Sequence, residues 1–421
     1  MAIPASSVWE VRTTGNDAYG GVFDPTISGV GTDYSQSSTT ILSLTDVVTT
    51  TGSATVTSAT GGFTAAMIGN GINIAGTVYM ITAVASTNSI TIDRTVTTGA
   101  SALTAHVGGA CASVGFVGGQ YSAGNTIYLQ SGTYNITTAT ANVPGGVLNN
   151  TSPNAYLIGY HLTRGDSPLP LSGNQPTLVV ASGINTIICQ PGNSGTISFI
   201  KIDGTLSTAG TISYQNFGNC FACSFCESII GAGNTGYHFY SNSVGCYAHG
   251  GGGNKGFQNT TMWCVAEGLT NTNAIGFSSS ASNCISVGNY YGFYGLASSC
   301  VSYNDKIGFT GNVSINCYAE GSTQDGFSSP NSGSVLINCA YFNVAANNLP
   351  ISAIGTKSLT VSGVSNASSN NFSPAPGSTL IGNAFTTLFG LSTTASMDIG
   401  AVSPSGTGIT RGPLDFGAIR P

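Results

Sequence analysis

At 421 residues, with 59 Gly and only 6% charged side chains, the chain is neither a disordered tail nor an average cytosolic enzyme. Its net charge of -6 rests on nine basic residues scattered from Arg12 to Arg420, so no cluster exists to neutralise a run of phosphates and nucleic acid is excluded as an expected partner. The start, MAIPASSVWEVRTT, lacks a basic segment followed by an apolar one, and no window approaches a membrane-spanning length of apolar residues, so neither secretion through a signal peptide nor membrane insertion is expected.

So few charges leave Ser, Thr, Asn and Gly to cover the surface, which favours turn-rich β-structure with very little helix. In chain order, residues 1–40, with Trp9, Asp17, Asp24 and Asp33, read as an extended N-terminal arm or cap. Residues 41–111 are Thr-rich, and VYMITAVASTNSITIDRTV (78–96) gives two alternating strands about a Ser-Thr-Asn turn, so a small β-domain is expected there. From 112 to 350 the pattern changes to coils. GNTIYLQSGTYNITT (124–138) and GTISFIKIDGT (195–205) alternate apolar and small polar residues between glycine turns. Residues 351–421 read as last coils and a C-terminal cap, carried by NNFSPAPGSTLIGNAF (370–385) and MDIGAV (397–402).

Within 112–350 a repeat is explicit. Cys226 precedes Gly236-Tyr237, Cys246 precedes Gly256-Phe257, Cys264 precedes Gly276-Phe277, and Cys284 precedes Gly292-Phe293. Cys300 then precedes Gly308-Phe309, Cys317 precedes Gly326-Phe327, and Cys339 closes the series. The cysteine steps run from 16 to 22 residues with a mean of about 19. Ankyrin and tetratricopeptide units are longer and more regular, and the leucine framework of leucine-rich repeats is absent, which leaves a parallel β-helix.

A strand period of two then turns the cysteine inward together with the residues two before and two after it, as in Val244 and Ala248 or Met262 and Ala266. Cys226, Cys246, Cys264, Cys284, Cys300, Cys317 and Cys339 form one internal ladder on this reading, and Phe257, Phe277, Phe293, Phe309 and Phe327 form a second, with each Gly letting the chain turn. The residues just after the cysteines, Glu227, Tyr247, Val265, Ile285, Val301, Tyr318 and Ala340, read as an outward row too apolar for a solvated wall, and a homotrimer is expected to cover it.

GNTIYLQSGTY, GTISFIKIDGT and GSTLIGNAF followed by DIGAV resemble the first, middle and last coils of right-handed parallel β-helix proteins of the pectate-lyase-like superfamily, which includes polysaccharide lyases and phage tailspikes. The leader SSVWEVRTTGNDAYGGVFDPTISGVGTDYS resembles the N-terminal segment of phage virion proteins that carry such β-helices. The resemblance implies a virion origin, with residues 1–40 and the small β-domain attaching the protein to the particle, assembly in the host cytoplasm and release by lysis.

Candidate chemistry is sparse. A glycosidase needs paired carboxylates roughly 5 to 9.5 Å apart, and the six acids between residues 200 and 350 are Asp203, Glu227, Glu267, Asp305, Glu320 and Asp325. Asp305 and Glu320 fall on adjacent coils with Lys306 beside them and are the catalytic candidates if the protein is an enzyme; otherwise they are solvated turn residues. His249, one coil before Glu267, is the only histidine with an expected acidic neighbour.

CFACSFC (220–226) has two overlapping C-x-x-C spacings, read as two strands meeting at a corner rather than as a metal site. Eleven cysteines without a signal peptide favour reduced, buried thiols, with Cys111 and Cys189, outside the ladder, as candidates for an intersubunit disulfide. GGGGNKG (250–256) lacks the hydroxyl residue of a P-loop, and Arg164-Gly165-Asp166 sits in a polar turn where an adhesion match is coincidental.

The expectation is an all-β structural virion protein without catalytic, metal or cofactor sites. Its trimeric right-handed β-helix projects from the particle surface as head decoration, collar or spike, in contact with capsid or tail proteins. A tailspike depolymerase is the first alternative. A non-catalytic glycan-binding adhesin, using outward aromatics such as Tyr247, Tyr303 and Tyr318 on host surface glycan, is the second.

Overall fold

The computed structural model describes residues 3–137, 155–182, 195–206, 214–215, 221–231, 236–251, 254–269, 271–311, 313–328, 334–348, 352–354, 356–359, 364–366, 371–374, 387–388 and 391–392. Among them the chain is all-β apart from a 3-10 turn at Ala65–Met67 and a short α-helix at Val114–Gly118, and its long parallel ladders make it a parallel β-helix. The C-terminal segments 370–385 and 397–402 lie almost entirely outside the described residues. Two compact units divide the chain: Met1–Pro168 with Asn174–Val179 and Ile188–Ile200, and Leu169–Gly173 with Val180–Ile187 and Lys201–Pro421.

In the N-terminal unit the leader is not a free arm. Val8–Val11 pairs in parallel with Thr126–Gln130, which pairs with Tyr156–Tyr160 and that in turn with Thr196–Ser198. Val22–Phe23 runs antiparallel along the other edge of Val8–Val11 and covers it. Trp9 is fully buried and donates its Nε1–H to Asn125 Oδ1 at 3.1 Å. The leader acids are anchors: Asp17 accepts from the amides of Ala112 and Ser113, Asp24 from that of Thr26, and Asp33 from that of Ser35.

Glu10, with no exposed surface, is held by Arg12 and Arg164, each at 2.7 Å, and by the Tyr160 hydroxyl. Several hydrogen-bonding partners are what a fully buried carboxyl group requires. Arg164 also meets Asp33 at 3.2 Å and covers the Tyr128 ring, while Asp166 accepts from the amides of His161, Leu162 and Thr163. Both charged members of the Arg-Gly-Asp tripeptide are therefore committed inside the unit.

Between the strands at 8–11 and 126–130 the chain builds a closed six-stranded barrel, in the order Leu42–Thr49, Thr55–Ser58, Ser89–Ile92, Thr77–Ser86, Gly71–Ile74 and Ala100–Val107. Its interior is filled by Leu44, Val47, Val56, Phe63, Ile72 and Ile81 among others. Alternation along each strand supplies these residues, and closure leaves no open edge.

The C-terminal unit is a stack of coils with three walls, whose strands named here are two to four residues long. The first wall carries Phe221–Ser224, Asn242–Val244, Thr261–Met262, Ala281–Ser282, Leu296–Ser298, Val313–Ile315 and Val335–Ile337. The second carries Glu227–Ile230, Tyr247–His249, Val265–Glu267, Ile285–Val287, Val301–Tyr303, Tyr318–Glu320 and Ala340–Phe342. Tyr237–Tyr240, Lys255–Phe257, Ile275–Phe277, Tyr291–Phe293, Ile307–Phe309 and Asp325–Ser328 lie on the third.

Each cysteine sits at the corner between the first two walls, directly after a residue in the left-handed region: Phe225, Gly245, Trp263, Asn283, Ser299, Asn316 or Asn338, with φ between 52° and 63°. The parallel hydrogen bonding runs unbroken through this corner, because Cys246, Cys264, Cys284, Cys300 and Cys317 accept through their carbonyls from Val265, Ile285, Val301, Tyr318 and Ala340 one coil on, at 2.9 to 3.0 Å. A second left-handed residue, Gly250, Gly268, Gly288, Asn304, Gly321 or Asn343, closes the second wall four positions after each cysteine from Cys246 on.

The corner corrects the inward set read from a period of two. The residue that points in before each cysteine is three positions back, as in Ser243, Thr261, Ala281, Ala297 and Ser314, not two, because the left-handed residue breaks the alternation. The apolar row after the cysteines also differs from expectation. Tyr247, Val265, Ile285, Val301, Tyr318 and Ala340 are 0 to 4% exposed within a single chain, with Val287, Tyr303, Phe342 and Leu359 packed on them. This row needs no second subunit to cover it.

On the third wall Phe239, Phe257, Phe277, Phe293, Phe309 and Phe327 stack with centroids 4.8 to 5.0 Å apart and planes within 11°. Phe239, not Tyr237, belongs to the column, since Phe239 pairs with Phe257 and Tyr237 with Lys255. The glycine before each ring from Phe257 on does not turn the chain; it makes room. A Cβ on Gly292 would lie 2.5 Å from the Gly308 carbonyl oxygen and against Asp305 Oδ2, and one on Gly276 would lie 2.7 Å from Ser286 Oγ.

Two substitutions separate these roles. Phe293→Ala, which empties a slot in the stack, is expected to lower stability by about 4 kcal/mol in urea unfolding. Gly292→Ala, which adds a single methyl group, is expected to cost about 2 kcal/mol by overpacking; no loss for Gly292→Ala would mean that the walls are farther apart than the structure has them.

Candidate functional site

The second wall brings together five polar side chains from four successive coils. Glu227, 3% exposed, receives Lys201 Nζ at 2.8 Å, His249 Nε2 at 3.0 Å and the Leu171 amide at 2.9 Å. Burial alone would raise the Glu227 carboxyl, but the bonds from His249, Lys201 and Leu171 and the Lys201 charge overcome it and hold the group down at about 2. One rung along, the Tyr247 ring stacks on His249 with centroids 4.5 Å apart, and its hydroxyl donates to Glu267.

The register explains the grouping. Glu227 stands opposite Tyr247, and His249 stands opposite Glu267, so each carboxylate meets its partner diagonally across one step of the sheet. His249 therefore has an acidic neighbour, but it is Glu227 that reaches the imidazole, while Glu267 takes the tyrosine. Sequence reading missed Glu227 because it was assigned to the apolar row; a lone acid among Tyr, Val and Ile at that position was the available signal.

Glu227 and Glu267 are two rungs apart, about 10 Å at the sheet spacing, and offset by two residues along the strand, which exceeds the roughly 6.5 to 9.5 Å between the carboxylates of an inverting hydrolase. An ionised Glu227 can orient His249 and act as a base or an electrostatic partner, but a group held at about 2 has no proton to give near neutrality.

Asp305 and Glu320 do not form a surface pair. Asp305 has no exposed surface and accepts from Ser302 Oγ at 2.6 Å and the Asn289 amide at 2.7 Å. It lies inside the coil, in the space that Gly292 leaves, and is not the solvated turn residue expected. Burial pushes its carboxyl up to about 7 against the pull of the bonds from Ser302, Asn289 and Ser286. Glu320 is 8% exposed and accepts from the Tyr318 hydroxyl at 2.6 Å.

The seven ladder cysteines are fully buried and free of disulfides. Burial raises the thiols of Cys246, Cys317 and Cys339 well above their usual range, so they stay protonated. Within CFACSFC, Cys223 and Cys226 lie on either side of the Phe225 corner, and Cys220 is outside the described residues. Cys111, also fully buried, is closed to a partner chain in this fold, which removes it as an intersubunit disulfide; Cys189 lies outside the described residues.

Of the aromatics expected to face outward, Tyr247 and Tyr318 are buried and Tyr303 is half-buried against the same cluster. The N-terminal unit has a cleft of about 590 Å³ lined by Asp17, Ser113, Phe116, Gln120, Asn135 and neighbouring residues. Asp17 offers it no free carboxylate, since both its oxygens are taken by Ala112 and Ser113.

Comparison with protein-family models, with curated proteins and with solved structures finds no match to this chain.

The two unusual carboxyls give opposite pH signatures. Asp305 titrates higher in the fold than in the unfolded chain, so its contribution to stability falls as pH rises from about 4 to about 7, a limiting loss of about 4 kcal/mol. Asp305→Asn is expected to remove that slope and to raise the melting temperature at pH 8; a steeper slope in the variant would refute the burial argument. Glu227 titrates lower in the fold, so its contribution is complete above about 4.5 and is lost as pH falls toward 2. Glu227→Gln is expected to cost on the order of 2 kcal/mol at pH 7 and very little at pH 2.5, measured by thermal denaturation at both values.

Proposed function

We propose that this chain is a structural protein of a bacteriophage virion, a homotrimeric β-helix carried on the particle surface as head decoration, collar or spike. Its N-terminal region meets other virion proteins, and its coils stabilise the particle or contact the host surface. The observation that carries this reading is the construction of the leader. The segment SSVWEVRTTGNDAYGGVFDP, whose residues resemble those of virion proteins, is a folded cap whose strand Val8–Val11 pairs with Thr126–Gln130, and a closed barrel follows it. A preformed module of this kind suits docking better than a disordered tail, which would have to pay its ordering entropy on binding.

The apolar row of the second wall, which suggested the trimer, is already covered by one chain, so the trimer is left to the light-scattering measurement below. Assembly in the host cytoplasm and release by lysis belong to the same proposal. A second reading, a depolymerase acting on host polysaccharide, is favoured by one observation, the carboxylates Glu227 and Glu267 flanking His249. Release of new reducing ends from host capsule by the wild type, abolished in Glu227→Gln and Glu267→Gln variants that remain folded, is the result that would establish it.

Quantitative mass spectrometry of purified particles is expected to find the chain in copy numbers divisible by three, and light scattering of the recombinant chain to give three times the chain mass. Absence from particles defeats the virion reading, whereas a monomer in solution defeats only the trimer.

A further inference from the structure

The third wall carries an exposed feature that neither the capsid reading nor the polar cluster of the second wall uses. Tyr237 and Tyr240 meet edge to face with centroids 5.7 Å apart, and three rungs along the same register Tyr291 and Tyr294 repeat the arrangement at 5.8 Å. Tyr290 lies beside the second pair, 4.7 Å from Tyr291. Tyr294 is 51% exposed and the other four are partly exposed, although the phenylalanines between them in sequence are buried.

Each station has a lysine. Lys255 Nζ is 5.4 Å from the Tyr237 ring centroid, and Lys306 Nζ is 4.1 Å from that of Tyr290 and donates to its hydroxyl at 2.9 Å. Among the described residues neither lysine forms an ion pair with a carboxylate, in contrast to Arg12, Arg94, Arg164 and Lys201. A cation held over a ring and short of an anionic partner, on a protein of net charge -6, is positioned to take an anion from outside.

We propose that this strip of the third wall binds an acidic polysaccharide. Tyrosine rings offer flat apolar faces with a hydroxyl at the edge, which suits a sugar ring with its own apolar face and polar rim. Lys255 and Lys306 take the carboxylates of the uronate-type units. The two stations are about 14 Å apart along the stack at the sheet spacing, so the ligand is a polymer long enough to span them, and the rigid ladder beneath fixes that span without an ordering cost. The strip replaces Tyr247, Tyr303 and Tyr318 as the aromatic surface for glycan.

The binding does not depend on the virion reading, because it is measured on the recombinant chain away from particles. The test is affinity electrophoresis in native gels containing sodium alginate or polygalacturonate, with neutral dextran and polyglutamate as comparison gels. The wild type is expected to be retarded by the two acidic polysaccharides and by neither comparison polymer. Lys255→Ala with Lys306→Ala, and separately Tyr291→Ala with Tyr294→Ala, are expected to weaken retardation about tenfold, with thermal midpoints measured to show that each variant is folded. If the tyrosine variant fails to fold, Tyr294→Ser alone, at the most exposed ring, serves in its place. No retardation of the wild type overturns the proposal. So does retardation that the folded variants retain, equal retardation by dextran, or equal retardation by polyglutamate, which would reduce the effect to charge.

Discussion

A backbone that coils in parallel rungs must keep every amide and carbonyl paired with the rung above and below, and the corners are where this is hardest, since an ordinary turn would leave groups of each coil unpaired. The C-terminal unit solves the problem with a single left-handed residue, which bends the chain sharply while the pairing continues on both sides of it. Left-handed geometry costs a non-glycine residue roughly 1 to 2 kcal/mol, and it recurs in coil after coil. Something must hold it. The cysteine thiol next in sequence donates back to the carbonyl two residues earlier, at 3.2 to 3.4 Å in Cys246, Cys264, Cys284, Cys300, Cys317 and Cys339, and so bridges the strained residue. A valine would fill the same space without a donor, whereas a cysteine gives both the apolar bulk and a weak hydrogen bond. Asn338 adds a lateral bond to Asn316 at 3.2 Å, one left-handed asparagine to the next.

Everything inside the coils follows from how close these corners bring the walls. The second wall turns Ala248, Ala266, Ser286, Ser302 and Ala319 inward, and the third wall meets them with glycine. There is no room for larger residues between the two, so the bulk of the core moves to the ends of the walls: thiols at one corner and stacked phenylalanines beyond the glycine column. Where one extra polar group is admitted, at Asp305, it occupies the gap that Gly292 leaves and is satisfied by Ser302 and Asn289. The same logic seats His238, which stands where later coils have glycine, with Nδ1 bonded to the Ser228 hydroxyl and carbonyl at 3.1 Å.

How much of this was legible depended on whether a residue's role is periodic. The fold was, because Cys and Gly-Phe recur in every coil and only a parallel solenoid of this repeat length accommodates them. The direction of individual side chains was not, because a period of two holds only while every residue is extended, and the left-handed corner shifts the phase by one residue. That corner had a partial signal of its own, the Gly or Asn directly before four of the seven ladder cysteines, at Gly245, Asn283, Asn316 and Asn338. The polar cluster was half legible. His249 and Glu267 were linked by coil equivalence, but a diagonal contact such as Glu227 with His249 depends on side-chain reach across a rung, which spacing alone does not give.

Scarcity of charge makes the remaining question sharper. In a chain with 6% charged residues each ionic group stands out. Glu10, Arg12, Arg164 and Asp33 hold the cap, Asp17 ties the leader to Ala112 and Ser113, Asp166 closes a local turn, and Glu227 with Lys201 ties neighbouring strands of the second wall. These are interior or half-buried tasks, where an unpaired charge would be expensive and partners are accordingly supplied. Lys255 and Lys306 lie on a partly solvated wall, where no structural debt has to be met, yet both are drawn over tyrosine rings. Stability does not require that arrangement, since serine or threonine would keep the wall soluble as they do elsewhere on this protein. A cation over an exposed aromatic becomes useful when an anion with an apolar face arrives, and the rigid ladder behind the third wall keeps the two stations at a fixed separation until it does.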